Sequence, residues 1–249
     1  MTKPTVQSRS PNGTPDPTRP ARLTTVVSDK SQWVLIVLLI IGVPTVFLRN
    51  TLTTFDIPQL TLFWTLAGAV ALIGFHRLID SGNLKTGSPA LTVTSACFLA
   101  ALVLTSVLSE QPWVAFTGLP VRGAGALTYG LCLGLLHTVY RLGRRRSAVP
   151  LLLAFVVAHV LVAGYALLQA GGRDPFVWSS GEIYVGPVFS TLGNANFSAG
   201  YLGLTLPILV WVPFGSQCHA ILRLSAGAIV GASVVALTYL NAFQGQAVA

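Results

Sequence analysis

Long apolar runs constrain this chain more than any other feature. Seven stretches, at about 33–48, 59–75, 89–109, 124–140, 148–169, 197–214 and 221–241, are almost free of charge. A helix needs ~20 mostly apolar residues to cross ~30 Å of hydrocarbon, so each is a candidate span. The first two are short and lean on Trp33, Phe47, Trp64 and Phe75 at their ends. Only 9% of the residues are charged while 53% are hydrophobic, a balance that excludes a soluble domain of this length. The expected fold class is all-α: a polytopic transmembrane helical bundle of about seven spans.

The distribution of charge sets the expected orientation. With a cytoplasmic N-terminus, the inside carries Lys3, Arg9, Arg19, Arg22, Lys30, Arg77, Lys85, Arg141, Arg144, Arg145, Arg146 and Arg223. Only Arg49, Arg122 and Arg173 fall outside. That asymmetry predicts a cytoplasmic N-terminus and an extracytoplasmic C-terminus. Topology and anionic lipid headgroups also account for the net charge of +8, with no nucleic acid implied.

Residues 1–30 are rich in Pro, Thr and Ser and read as a disordered cytoplasmic tail, with 31–249 as the transmembrane domain. The first span reads as a retained anchor, because its flank lacks a small-residue cleavage site. Cys97, Cys132 and Cys218 offer neither a disulfide framework nor metal-ligand spacing, so no metal and no cofactor are expected. Ala126, Gly130 and Gly134 place small residues four apart in the fourth span, a spacing that lets another helix approach closely. Of the histidines, His76, His137 and His219 sit near the cytoplasmic side, and His159 lies mid-helix, where interhelical hydrogen bonding is the expected role.

Residues 186–207 read GPVFSTLGNANFSAGYLGLTLP, in which a glycine turn and two asparagines lead into a span. Upstream run Arg173-Asp174-Pro175-Phe176, and further back Trp113, Gly118, Arg122, Gly125, Leu127, Thr128 and Tyr129. The first segment resembles the G-T-[LF]-G-N-P-N-[FY]-x-A-G-Y-L junction of the O-antigen ligase and polymerase family of bacterial membrane proteins, with Ala195 in place of the usual proline. The second resembles that family's W-x-x-x-x-G-x-x-x-R-x-x-G-x-L-T-Y. The resemblance implies a multi-pass protein of the bacterial cytoplasmic membrane that transfers or polymerises glycan. Its partners would be a donor glycan on undecaprenyl diphosphate, a glycan or lipid acceptor, and the bilayer.

Such a reaction releases a lipid diphosphate, whose developing charge calls for a fixed cation. Arginine is permanently protonated and meets phosphate oxygens with a planar fork. Arg122 and Arg173 are therefore the candidate diphosphate ligands, with Asn194, Asn196 and Gln244 beside them. Asn194 and Asn196 read either as caps of the sixth span or as caps that also touch the anion. Among the outside carboxylates Asp56, Glu110, Asp174 and Glu182, Glu182 and Asp174 are the candidate catalytic bases.

The chain departs from the family in two places. Members usually carry about a dozen spans and a large outside loop with a functional histidine, whereas this chain covers only the first half. Gln244 also stands where S-R-G-A would place an arginine, and a neutral amide cannot replace that charge. A fragment, or a partner chain supplying the second half, is the expectation. The alternatives are a lipid-linked oligosaccharide transporter and a non-catalytic scaffold of cell-envelope assembly.

Overall fold

The computed structural model describes residues 19–51, 53–81, 88–119, 122–144, 147–178, 188–211 and 219–241, with side chains from Asp29 onward except at 80 and 81. The described residues contain eight helices: α1 (Arg19–Thr45), α2 (Asp56–Ser81), α3 (Pro89–Val107), α4 (Pro112–Thr117), α5 (Ala126–Gly143), α6 (Val149–Ala170), α7 (Ala195–Trp211) and α8 (Ala220–Leu240). Among the described residues, four segments are long and apolar enough to cross a membrane by length and composition: Asp56–Ile79, Pro89–Val107, Val149–Ala170 and Ala220–Leu240. The apolar runs at 33–48, 124–140 and 197–214 correspond to α1, α5 and the shorter α7. Helix α1 begins at Arg19, inside the stretch read from sequence as a tail. The six-residue α4 has no counterpart among the expected spans.

Helix α1 packs on α2 and α6, α2 on α5, and α6 on both α7 and α8, while α3 touches α4 and α5. Two cores result. Ala163, Ala166, Ala195, Ala199 and Ala236 surround Leu202, Leu237 and Leu240 where α6, α7 and α8 meet. Small side chains let these helices approach closely, which is how packing forces accumulate without a hydrophobic drive between helices. Trp33, Ile36, Ile40, Val70, Leu142, Leu151 and Ala154 form the second core, from α1, α2, α5 and α6.

On α5, a Cβ built on Gly134 would meet that of Ala71 at 3.8 Å, and one on Gly130 would meet Leu99 at 3.9 Å. The small residues of α5 therefore serve packing against α2 and α3. Large apolar side chains point outward in compensation, among them Leu204 at 75% and Ile221 at 81% exposed. Such a surface suits a hydrocarbon solvent far better than water.

Candidate functional site

The helix order brings the α1–α2, α4–α5 and α6–α7 junctions to one end of the bundle. The α6–α7 connection is fastened there by side chains rather than by regular structure. Gln169, in the last turn of α6, accepts the N–H groups of Phe189 at 3.1 Å and Ser190 at 2.8 Å on its Oε1. Its Nε2 donates to Asp174 at 2.9 Å. Ser190 sits at φ 58, a left-handed conformation uncommon outside glycine, and its hydroxyl donates to Val162 O at 2.6 Å. Ser198 donates to Phe189 O at 2.6 Å, and Thr191 to Pro44 O at 2.7 Å. Gln59 of α2 reaches Val46 O at 3.3 Å and Thr191 O at 3.1 Å. Four helices, α1, α2, α6 and α7, are thus stitched to one turn.

Asp174 anchors the start of the same connection. Oδ1 accepts the Tyr165 hydroxyl at 3.0 Å and Phe176 N–H at 2.9 Å. Oδ2 accepts Gln169 Nε2 at 2.9 Å and Trp178 Nε1 at 2.8 Å. Burial pushes this carboxyl up, but the four donors outweigh it and hold the group below the usual carboxylate range. Beside it Phe47, Phe55, Phe176, Trp178 and Phe189 form an aromatic nest, with Trp178 and Phe189 centroids 5.1 Å apart. Arg49 lies over the Phe176 and Trp178 rings at 5.7 and 5.4 Å, and its Nη2 donates to Val177 O at 2.7 Å.

A second loop carries Arg122. Gly118 ends α4 at φ 85, donating its N–H to Val114 O at 2.7 Å. The N–H groups of Arg122 and Gly123 both return to Leu119 O, at 2.9 and 2.7 Å. The Gly118 and Gly125 backbones touch: a Cβ on Gly125 would overlap Gly118 N and Phe116 O. The two motif glycines therefore close the base of the loop that presents Arg122. The loop is also tied to α2, because Trp64 Nε1 donates to Thr128, whose hydroxyl donates to Gly123 O at 2.5 Å. Replacing Gly125 with alanine should loosen this loop at a cost of about 1–3 kcal/mol. The readout is faster tryptic cleavage after Arg122 in the detergent-purified protein; an unchanged cleavage rate would show that the contact does not hold the loop.

Arg122 and Arg173 are both exposed and share this end of the bundle with Arg49. Arg173 edges a cleft of 360 Å³ floored by Gly164, Leu167, Leu168 and Gly171. Asn194 Oδ1 accepts Asn196 N–H at 2.9 Å at the start of α7, and Asn194 O accepts Ser198 N–H at 3.0 Å. Asn194 is thus a cap. Asn196 is exposed and borders the same helix mouth. Glu182 and Gln244 lie outside the described residues. No three His, Cys, Asp or Glu side chains gather as a metal site among the described residues.

Two further polar groupings lie away from this end. Within the bundle, the fully buried His159 meets Thr205 Oγ1 through Nδ1 and Ser233 Oγ through Nε2, each at 2.6 Å. At the far end, Asp29 pairs with Arg77 and, at 2.9 Å, with Arg141. Gln32 joins them, its Oε1 accepting Arg141 at 2.5 Å and its Nε2 donating to Val70 O at 3.0 Å. Burial raises the Asp29 carboxyl, yet the two guanidiniums more than offset it and hold it low.

Sequence reasoning missed Gln59, Tyr165, Gln169 and Ser190. The available signal was a lone amide in the first or last turn of an otherwise apolar helix, since such a group in hydrocarbon needs a partner. No protein-family model, curated protein or solved structure matches the chain.

Proposed function

We propose that this chain is the N-terminal portion of an O-antigen ligase-like glycosyltransferase of the bacterial cytoplasmic membrane. The seven apolar segments would cross the bilayer with the N-terminus inside. The arginine-bearing end would face out, towards a glycan on undecaprenyl diphosphate. One observation carries this reading: the exposed Arg122 and Arg173 stand at the same end of the bundle, on loops whose backbones are held by many specific contacts. A preorganised cation costs little reorganisation when phosphate charge develops, which is what departure of a polyprenyl diphosphate demands. Asn194 supports the helix mouth by capping α7, and Asn196 borders it.

Asp174 is better suited to positioning than to proton abstraction. Both of its oxygens are committed to donors, and its depressed basicity opposes taking a proton from an acceptor hydroxyl. Its place next to Arg173 fixes the backbone from which that side chain extends. The base then falls to Glu182, or to a residue supplied by the remainder of a longer protein or a partner chain.

Replacing Arg122 with alanine should lower glycan transfer by about 10²–10³-fold, the usual effect of removing one charge-stabilising donor. Undecaprenyl-linked glycan should accumulate in cells, and Arg122→Lys should restore part of the activity. Unchanged levels of lipid-linked glycan in Arg122→Ala cells, with the protein present in the membrane, would sink the assignment.

A further inference from the structure

A groove of 490 Å³ opens between α1 and the start of α6, at the end of the bundle opposite the arginine loops. It is lined by Trp33, Val34, Val37, Leu38, Ser147 and Pro150. Its α1 wall is apolar over more than one turn, which suits a hydrocarbon chain lying along the helix. Trp33 is 7% exposed, and its indole N–H has no hydrogen-bond partner among the described residues. That N–H is closed off from the groove, so Trp33 lines it through the rest of its side chain. Lys30 is exposed, and it precedes Trp33 and Val34 by three and four residues on the same helix face, at the groove's outer end. Arg144, at the end of α5, adds exposed positive charge at this end of the bundle. Arg77 and Arg141, by contrast, are engaged with Asp29.

We propose that this groove holds one anionic phospholipid of the bilayer. An acyl chain lies along Val34, Val37 and Leu38, the glycerol region sits beside Trp33, and the phosphate sits at Lys30. The apolar wall explains why the ligand is a lipid rather than a free anion. The charge at the mouth explains why an anionic headgroup is preferred. Tryptophan and lysine at this depth match the chemistry of the interface between headgroups and hydrocarbon. The proposal is independent of glycan transfer, because none of its residues belongs to the Arg122 and Arg173 end.

The test is native mass spectrometry of the full chain, released from detergent containing equal amounts of phosphatidylglycerol and phosphatidylcholine with identical chains. The wild type should retain one phosphatidylglycerol in preference to phosphatidylcholine. Lys30→Gln should reduce that retention about fivefold, the effect of one basic side chain at an anionic surface, and leave phosphatidylcholine unchanged. Leu38→Trp and Val34→Trp should each fill the groove and abolish retention. Both positions are 51% exposed, so the larger side chains need not disturb the core. Thermal melting of each variant confirms that it is folded. Equal retention of the two lipids by the wild type would overturn the proposal. So would retention of phosphatidylglycerol by folded groove-filling variants, even if Lys30→Gln weakened it, because the anion would then sit on the lysine without the groove.

Discussion

Replacing Gln169 with leucine should destabilise the α6–α7 connection by about 2–5 kcal/mol. The amide oxygen is the acceptor for two buried N–H groups, those of Phe189 and Ser190. Leucine fills much of the same volume but accepts neither, and each orphaned buried donor costs about 1–3 kcal/mol. Asp174 would also lose one of its four donors. The damage should be local first. Ser190 holds a left-handed backbone conformation only while its neighbours determine it, so the turn at 190–193 should open before the helices separate. Hydrogen exchange read by mass spectrometry should show faster exchange in 188–194 and in the start of α7, with α2 and α3 little changed. Gln169→Glu is the informative partner, because it keeps the oxygen that accepts both N–H groups but turns the donor to Asp174 into a second carboxylate oxygen facing it. Wild-type exchange in Gln169→Leu would show that the turn is held by packing of the aromatic nest instead.

His159→Ala should cost about 2–4 kcal/mol, spread over three helices. Most of that comes from the cavity left by a fully buried ring, since truncating large core side chains typically costs several kcal/mol. The hydrogen bonds contribute less, because interhelical ones in membranes average ~0.6 kcal/mol. Moreover Thr205 and Ser233 have fallback partners on their own helices, Tyr201 O at 2.8 Å and Ile229 O at 2.7 Å. A neutral imidazole donates from one nitrogen and accepts at the other, so the ring links one hydroxyl in each sense. Thr205→Val should therefore be far milder than His159→Ala, by about 1 kcal/mol or more. Thermal melting in detergent, or reversible unfolding in a mixed micelle, checks the order. Equal losses for the two variants would mean that the hydrogen bond, not ring volume, holds α6, α7 and α8 together.

Much of the fold was legible because hydrophobicity is a property of residues taken nearly one at a time. The apolar runs at 89–109, 148–169 and 221–241 lie within two residues of α3, α6 and α8 at each end. The start of α1 was less legible. Asp29 read as polar tail and Gln32 lay just ahead of the first apolar run, yet the first meets Arg77 and Arg141 and the second meets Val70 O and the same arginines, which lets the helix continue through them. Helix α4 was invisible because six residues carry no periodic signal, and only Pro112 marks its start.

The candidate site divides in the same way. The motif residues Gly118, Arg122 and Gly125 stood out in sequence, but the reason for the two glycines is a backbone contact that only the folded loop reveals. Gly193 is similar: it sits at φ 71, and a Cβ there would overlap the Phe55 ring, a residue far away in the chain. Asp174 was visible as a carboxylate near the membrane boundary. Its four donors, which tie it into the α6–α7 connection, were not.

By itself, then, the sequence determined that the chain is helical and apolar, roughly where its long helices run, and which arginines lie at helix boundaries. Those properties are additive along the chain. The tertiary structure alone decided which polar groups pair. Thr191 finds Pro44 O across 147 residues, Gln59 finds Thr191 O across 132, and His159 finds Ser233 across 74. A hydrogen bond is decided by tenths of an ångström between such distant partners, and no local pattern encodes that distance.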